Sequence, residues 1–252
     1  MSTRGAYEWA YKNLNICYGC LNNCSYCYAT RMALRFGRIE TKEQWTEIKL
    51  NPKKIKKGYN KLKNPFPELY DYMFPTSHDI FPEILPECIT VLKKVLRAGN
   101  SVLITTKPRI ECIKELCAVL EKWKKQICFR FTITSAYNET LEKYEPGASL
   151  FQERMMSVRH AFQKGYKTSL SLEPLLDPTP LPILDHVEKY VDDEIWIGIM
   201  SGSIPDELKD NYSLDNIKLI YEECRNLHQG AVNKIRFKDS IVNKLKLERN
   251  RL

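Results

Sequence analysis

The sequence predicts an α/β protein whose parallel strands form an open, partial (β/α)6 barrel of TIM type. Three observations predict it. From residue 69 onward, short runs rich in β-branched and aromatic residues alternate with longer stretches of helical period, an order that implies parallel strands joined by crossover helices. Polar side chains gather just where the apolar runs stop, at Ser77, Asp79, Lys107, Ser135 and Glu173. The carboxyl ends of parallel strands are where such folds do their chemistry. Finally, four of the nine cysteines fall within residues 17–27, where a short strand gives way to a helix.

Taken in order, residues 11–16 (YKNLNI) have the make-up of a short strand leading into the cysteines, and 28–36, free of Gly and Pro, predict a helix. Residues 37–66 interrupt the alternation. Between Lys49 and Lys63 the chain carries seven lysines and no acid. That run fits a nucleic-acid or phosphate contact surface with Tyr59 as a stacking residue, and it also fits a solvated arm laid over the barrel. Next come a strand at 70–74 and a helix at 83–97, with Leu85, Ile89, Leu92 and Leu96 on one face and Gly99 as its stop. A strand at 101–106 precedes a helix at 109–124, and a strand at 127–134 precedes one at 150–163 that Gly165 ends. The last units are strand 167–172 with helix 181–191, and strand 194–199 with helix 214–227. Six strand/helix pairs are too few for a closed eight-stranded barrel, so the barrel is expected to stay open. Residues 1–252 read as a single domain, with 37–66 as a lysine-rich insertion within it and 230–252 as a C-terminal extension.

Composition narrows the class of protein. Apolar residues make up 43% and charged residues 28%, the balance of a globular chain, and no uncharged run approaches the ~18 residues a membrane span needs. The segment Met1 to Trp9 carries Arg4 and Glu8 without an apolar core, unlike a secretory leader. The expected compartment is therefore the cytoplasm, where thiols stay reduced and clustered cysteines more often bind metal than pair. A monomer is expected. The net charge of +8 suits an anionic partner and also plain solubility.

The cysteine spacing is informative. Zinc sites usually join two C-x-x-C halves a dozen or more residues apart, so that two loops close on one ion. Here only L-N-N separates the halves. A single tight loop serves the separate corners of an iron–sulfur cluster more readily, since soft thiolates suit iron and the cluster is several ångströms across. Cys88, Cys112, Cys117, Cys128 and Cys224 are scattered through predicted helices and one strand and read as core.

Cys20, Cys24 and Cys27 stand as C-x-x-x-C-x-x-C with Tyr26 before the last cysteine, which resembles the motif of the radical S-adenosylmethionine (radical SAM) enzymes. Further segments resemble the branch related to spore photoproduct lyase: PTSHDIFP at 75–82, TTKP at 105–108, TITS at 132–135, EPGASLFQER at 145–154, SLSLEPLL at 169–176 and KIRFKDS at 234–240. With the cysteine motif they are spread across most of the span 11–240. The resemblance implies a barrel of the radical SAM kind, a 4Fe-4S cluster on Cys20, Cys24 and Cys27, and S-adenosylmethionine on the fourth iron. It implies reductive cleavage of that cofactor to a 5′-deoxyadenosyl radical, and an electron donor such as flavodoxin or ferredoxin. By position, Ser77 and Asp79 match the place that binds the methionyl amino group, Lys107 would meet the carboxylate, and Ser135 would lie nearby. Glu173 would accept from ribose hydroxyls or substrate, and Tyr26 would flank the adenine.

The namesake of that branch carries a hydrogen-donor cysteine where this chain has Pro75, so thymine-dimer repair is not the expected reaction; fold membership does not fix chemistry. The substrate expected is a nucleic acid or a small metabolite, with or without phosphate. Cys17 stays open as a spare ligand, a hydrogen donor or a small core residue. Two other readings follow from these alternatives: a non-catalytic electron carrier with Cys17 as fourth ligand, and a zinc-stabilised nucleic-acid-binding protein using the lysine arm.

Overall fold

The computed structural model describes residues 5–247 apart from 201, 203 and 228, so the last five residues of the 230–252 segment lie outside the described residues. Strand β1 (Ala10–Asn13) leads through the two-residue β2 (Cys17–Tyr18) to helix α1 (Tyr28–Arg35). The arm contributes β3 (Lys49–Leu50) and α2 (Pro52–Lys56). Regular alternation follows: β4 (Tyr70–Phe74), α3 (Leu85–Arg97), β5 (Val102–Thr106), α4 (Ile110–Val119), β6 (Ile127–Thr132), α5 (Asn138–Tyr144), α6 (Phe151–Gln163) and β7 (Lys167–Leu172). The chain then runs through α7 (Leu181–Val187), β8 (Ile195–Ile197), α8 (Leu214–Arg225), α9 (Gln229–Val232), β9 (Ile235–Phe237) and α10 (Asp239–Leu245).

The main sheet is wholly parallel, in the order β1-β4-β5-β6-β7-β8-β9. All six expected strands are present, and β9, within the C-terminal segment, adds a seventh beside β8. The sheet curls. Laid flat, β1 and β8 would stand about 24 Å apart at ~4.8 Å per strand, yet the rings of Trp9 and Trp196 meet at 5.5 Å. Lys238, just past β9, lies 3.9 Å over the Trp9 ring and pairs with Glu8. The result is an open barrel whose two edges are clasped by side chains.

Alternation along each strand sorts residues between two faces. On β6, Ile127, Phe129 and Phe131 join the core beneath the helices, where Phe129 meets Tyr166 edge-on at 5.2 Å. Cys128, Arg130 and Thr132 take the opposite, inward face, and Cys128 packs with Trp9, Met73 and Leu103. Helix α3 buries Cys88, Val91 and Val95 besides Leu85, Ile89, Leu92 and Leu96. Each such aliphatic side chain contributes roughly 1.5–3 kcal/mol by burial. No helix among the described residues is long and apolar enough to cross a membrane.

Some boundaries differ from the sequence reading, for local reasons. The first strand ends at Asn13 because the Asn15 side chain turns to bind the loop after β4. The helix expected over 109–124 stops at Val119 and continues as a 3-10 turn from Glu121 to Gln126 that buries Trp123. Helix α5 was not expected. The lysine arm is docked rather than loose: β3 pairs antiparallel with β2, and Trp45 is buried. Lys94 reaches the C-terminal carbonyls of α2 at Ile55 (2.7 Å) and Lys56 (3.2 Å). Asn100 accepts from Leu62 N–H and donates to Asn60 O.

Candidate functional site

The cysteine loop leaves the carboxyl end of β1 and is held on three sides. On the arm side, Cys20 N–H donates to Trp45 O at 2.7 Å, and Gly19 has φ +89°, with a would-be Cβ 2.2 Å from Glu47 O, so only glycine fits. On the side of the segment after α5, Ser25 N–H donates to Tyr144 O and Gly147 N–H to Asn22 O. A Cβ at Gly147 would lie 1.9 Å from Leu21 O. The third anchor is Asn22 itself, which donates to Asp79 at 2.6 Å and accepts from Arg109, whose guanidinium also binds Gly147 O at 2.5 Å.

This clamp holds Cys20, Cys24 and Cys27 near enough that Cys24 and Cys27 are felt electrostatically at Cys20, and Cys27 at Cys24. Cys20 and Cys24 are buried and Cys27 partly exposed. Burial pushes the Cys24 thiol up to about 12, with Glu145 and Cys27 adding to it against the pull of Lys107. Cys20 is also raised well above its ordinary range, first by burial and then by Asp79, Cys24 and Cys27 nearby. In so dry a pocket thiolates require compensation by a bound cation, and a cluster that ligates them supplies it. Among the described residues no three Cys, His, Asp or Glu side chains converge tightly enough to hold a single ion. The donor set, soft thiols spread around one loop, fits a multi-iron cluster. Cys17 is buried in the same core cluster as Cys20, Cys88 and Cys112, and its charge is felt by Cys88.

The strand ends supply the remaining groups. After β4, the Asn15 amide donates to Thr76 Oγ1 and accepts from the N–H groups of Thr76 and Ser77 at 2.7 and 2.9 Å, which fixes Ser77 half-buried above β1. His78 accepts from Ile16 N–H through Nε2 and donates from Nδ1 to Asp79 O. Burial holds this imidazole below its ordinary range, in its neutral form. The Asp79 carboxylate is fully engaged: it accepts from Asn22, Ile80 N–H (2.7 Å), Thr106 Oγ1 and Lys107 N–H (2.9 Å). It therefore ties β4, β5 and the cysteine loop into one unit.

Lys107, after β5, is half-buried and sends its Nζ to 3.8 Å from Glu145 and 5.7 Å from the Tyr26 ring centre. Burial alone would pull this lysine down, but Glu145 and Cys24 outweigh it and raise it above its ordinary range. Glu145 is the shared partner. It accepts from the Tyr26 hydroxyl, from Thr134 at 2.7 Å and from Arg154 at 2.5 Å, with both Glu145 and Arg154 wholly inaccessible. Burial opposes its ionisation, yet Arg154, Lys107, Tyr26 and Thr134 hold its carboxyl down at about 2.

Ser77, Asp79, Lys107 and Tyr26 thus stand around the cysteine loop. Ser135 and Glu173 are committed otherwise. Ser135 donates to Asp177 at 2.5 Å and accepts from Tyr137 N–H. Glu173 sits inside the barrel 3.9 Å from Lys238, its carboxyl raised above its ordinary range chiefly by burial. Sequence reasoning singled out neither Glu145 nor Arg154, nor Asn15, Asn22 and Arg109. The one available signal was that Glu145 and Arg154 bound the segment EPGASLFQER.

Comparison with known proteins adds little. No protein-family model matches the chain. It is 27% identical over 175 residues to the uncharacterized protein ORF301 of Acidianus two-tailed virus, covering 68% of this chain and 56% of that protein. The chain thus spans just over half the length of that relative. Among solved structures it is similar to a spore photoproduct lyase variant with bound AdoMet and dinucleoside spore photoproduct, at 16% identity and a TM-score of 0.49, over 86% of this chain and 62% of that one. It is also similar to SuiB of Streptococcus suis bound to S-adenosylmethionine, at 10% identity and a TM-score of 0.45, over 60% and 34%. At this level of superposition neither likeness defines the site, which stands on the residues just described.

Proposed function

We propose that this protein is a radical SAM enzyme, acting on a substrate whose phosphate groups meet the lysine arm. The observation that carries the reading is the cysteine loop itself: three thiols, two of them buried, at the carboxyl end of β1, on a loop clamped by Asn22, Asp79 and Gly147, with the half-buried Lys107 near them. When bound, a 4Fe-4S cluster on Cys20, Cys24 and Cys27 with one iron free of cysteine supplies the electron that cleaves S-adenosylmethionine to a 5′-deoxyadenosyl radical.

The chain's own residues have definable tasks. Lys107 keeps its proton, and at 3.8 Å its pairing with Glu145 is loose enough to leave N–H groups for a second carboxylate, that of the methionyl moiety. Tyr26, pinned through its hydroxyl to Glu145, presents a fixed ring face to the adenine. Asp79, with four donors already on its carboxylate, positions the loop and the Lys107 backbone and leaves the amino group to Ser77 and neighbouring carbonyls. The walls of the pocket would keep such a radical away from oxygen, free thiols and reductant that would quench it.

The test is anaerobic reconstitution with iron and sulfide, followed by S-adenosylmethionine and dithionite. The expected product is 5′-deoxyadenosine, lost when Cys20, Cys24 or Cys27 becomes Ala and kept when Cys17 does. A stable cluster that never cleaves the sulfonium refutes the proposal.

A further inference from the structure

A shallow cleft of about 400 Å³ lies on the outer side of the barrel, between the end of α2 and the last turn of α3. Four cations line it, Lys56, Lys57, Lys94 and Arg97, and no carboxylate does. Lys56, Lys57 and Arg97 are exposed. Lys94 builds the cleft: its Nζ donates to Ile55 O at 2.7 Å and Lys56 O at 3.2 Å and holds the end of α2 against α3. The free carbonyls of that helix end, which would repel an anion, are thereby covered.

The cations continue as a row. Arg97 lies about 18 Å along α3 from Leu85 at 1.5 Å per residue, and Leu85 follows the loop that carries Ser77 and Asp79. Back along the arm, Lys53 and Lys54 are exposed as well. The charge of Lys54 is felt at His78, which accepts from Ile16 N–H, and Asn51 N–H donates to Ile16 O at 2.7 Å, one residue before Cys17. The row therefore runs from the far end of α3 to the start of the cysteine loop. Nearby carboxylates do not cancel it. Asp71 is buried and pairs with Lys61 at 2.5 Å. Glu83 and Glu87 stand in the opening turns before and within α3, Glu87 some 15 Å of helix from Arg97 at about 1.5 Å per residue. Even set against both, the six cations from Lys53 to Arg97 leave a clear positive excess.

We propose that this row is the track for a single strand of nucleic acid, whose phosphates the α2–α3 cleft anchors well away from the cysteine loop. One row of cations fits one backbone. The length of the row, about 18 Å, matches about five nucleotides at the ~3.4 Å spacing of a stacked strand. A polymer therefore reaches from the cleft to the cysteines, and a phosphorylated metabolite does not. Reading the strand as substrate rests on the enzyme proposed above; its binding needs no cluster.

The protein as purified is titrated with fluorescein-labelled trithymidylate, with the dodecamer of the same base and with a duplex of equal length, followed by anisotropy over a range of salt concentrations. The dodecamer is expected to bind at least about tenfold more tightly than the trimer, because only it spans the row. Arg97→Gln combined with Lys57→Gln should weaken the dodecamer about tenfold and reduce its logarithmic salt slope by up to about 1.4, at ~0.7 per phosphate contact. Both side chains are exposed, and circular dichroism checks that the variant is folded. Equal affinity for trimer and dodecamer, a duplex preferred to the strand, or a folded double variant that binds like the parent overturns the proposal. Dodecamer binding as described without any 5′-deoxyadenosine from the reconstituted protein leaves the track standing and the enzyme refuted; cleavage without strand binding does the reverse.

Discussion

Removing the Arg154 guanidinium strands the Glu145 carboxylate in an interior that admits no water. Arg154→Met is therefore expected to lower stability by about 3–5 kcal/mol, read as a fall in the urea midpoint. The same carboxylate makes stability depend on pH. Its folded value near 2 lies below the ordinary glutamate value of 4.5, so its contribution is fully present above about pH 4.5 and is lost as the pH falls from there towards 2. Glu145→Gln should flatten the acid limb of the stability profile in that window, and an unchanged limb would show that other carboxylates control it. In the sequence Glu145 and Arg154 were legible only as the two ends of the segment EPGASLFQER; their roles were not, because the partners Tyr26 and Lys107 come from other strand ends. Asp79 was legible by position but not by role: the sequence shows a carboxylate at a strand end and cannot show that four donors already occupy it.

At the scale of elements, the loop and its clamp form one structural unit. Gly147→Ala would drive a methyl group into the Leu21 carbonyl at 1.9 Å. The expected outcome is a folded barrel that binds less than half the iron of the parent after reconstitution, measured by metal analysis beside circular dichroism. Full iron content would show that the segment after α5 is dispensable. The strands and longer helices were readable because apolar period and length agree over whole segments. The elements that escaped, β2, β3, β9 and α5, are only two to seven residues long, and tertiary pairing rather than local pattern creates them. Tyr59, read as a stacking residue, instead packs edge-on against Tyr72 and donates its hydroxyl to Lys54 O.

At the scale of the molecule, alternation made the parallel sheet predictable, while the curl depends on contacts such as Trp9 with Trp196 that join residues 187 positions apart. The arm, docked through its backbone and its apolar side, leaves Lys53, Lys54, Lys56 and Lys57 exposed around the short helix α2. If these lysines contact phosphates, affinity for single-stranded DNA falls steeply with salt, by a logarithmic slope of about −0.7 per contact. Replacing all four by Ala should then reduce that slope by up to about 3. A slope unaltered by the replacement would make the arm a scaffold for the cysteine loop and nothing more.

The clamp on the cysteine loop also sets a timetable. Gly147 and Tyr144 are made about 120 residues after Cys27, which at ribosomal speeds of about 5–20 residues per second is on the order of 6–24 s. Throughout that interval the nascent chain displays three unshielded thiols with no partner segment to fold against. Oxidants and stray metals meet them first. If iron and sulfide are delivered to these thiols, the clamp that shields them exists only once residue 147 has been made, past the midpoint of the 252-residue chain.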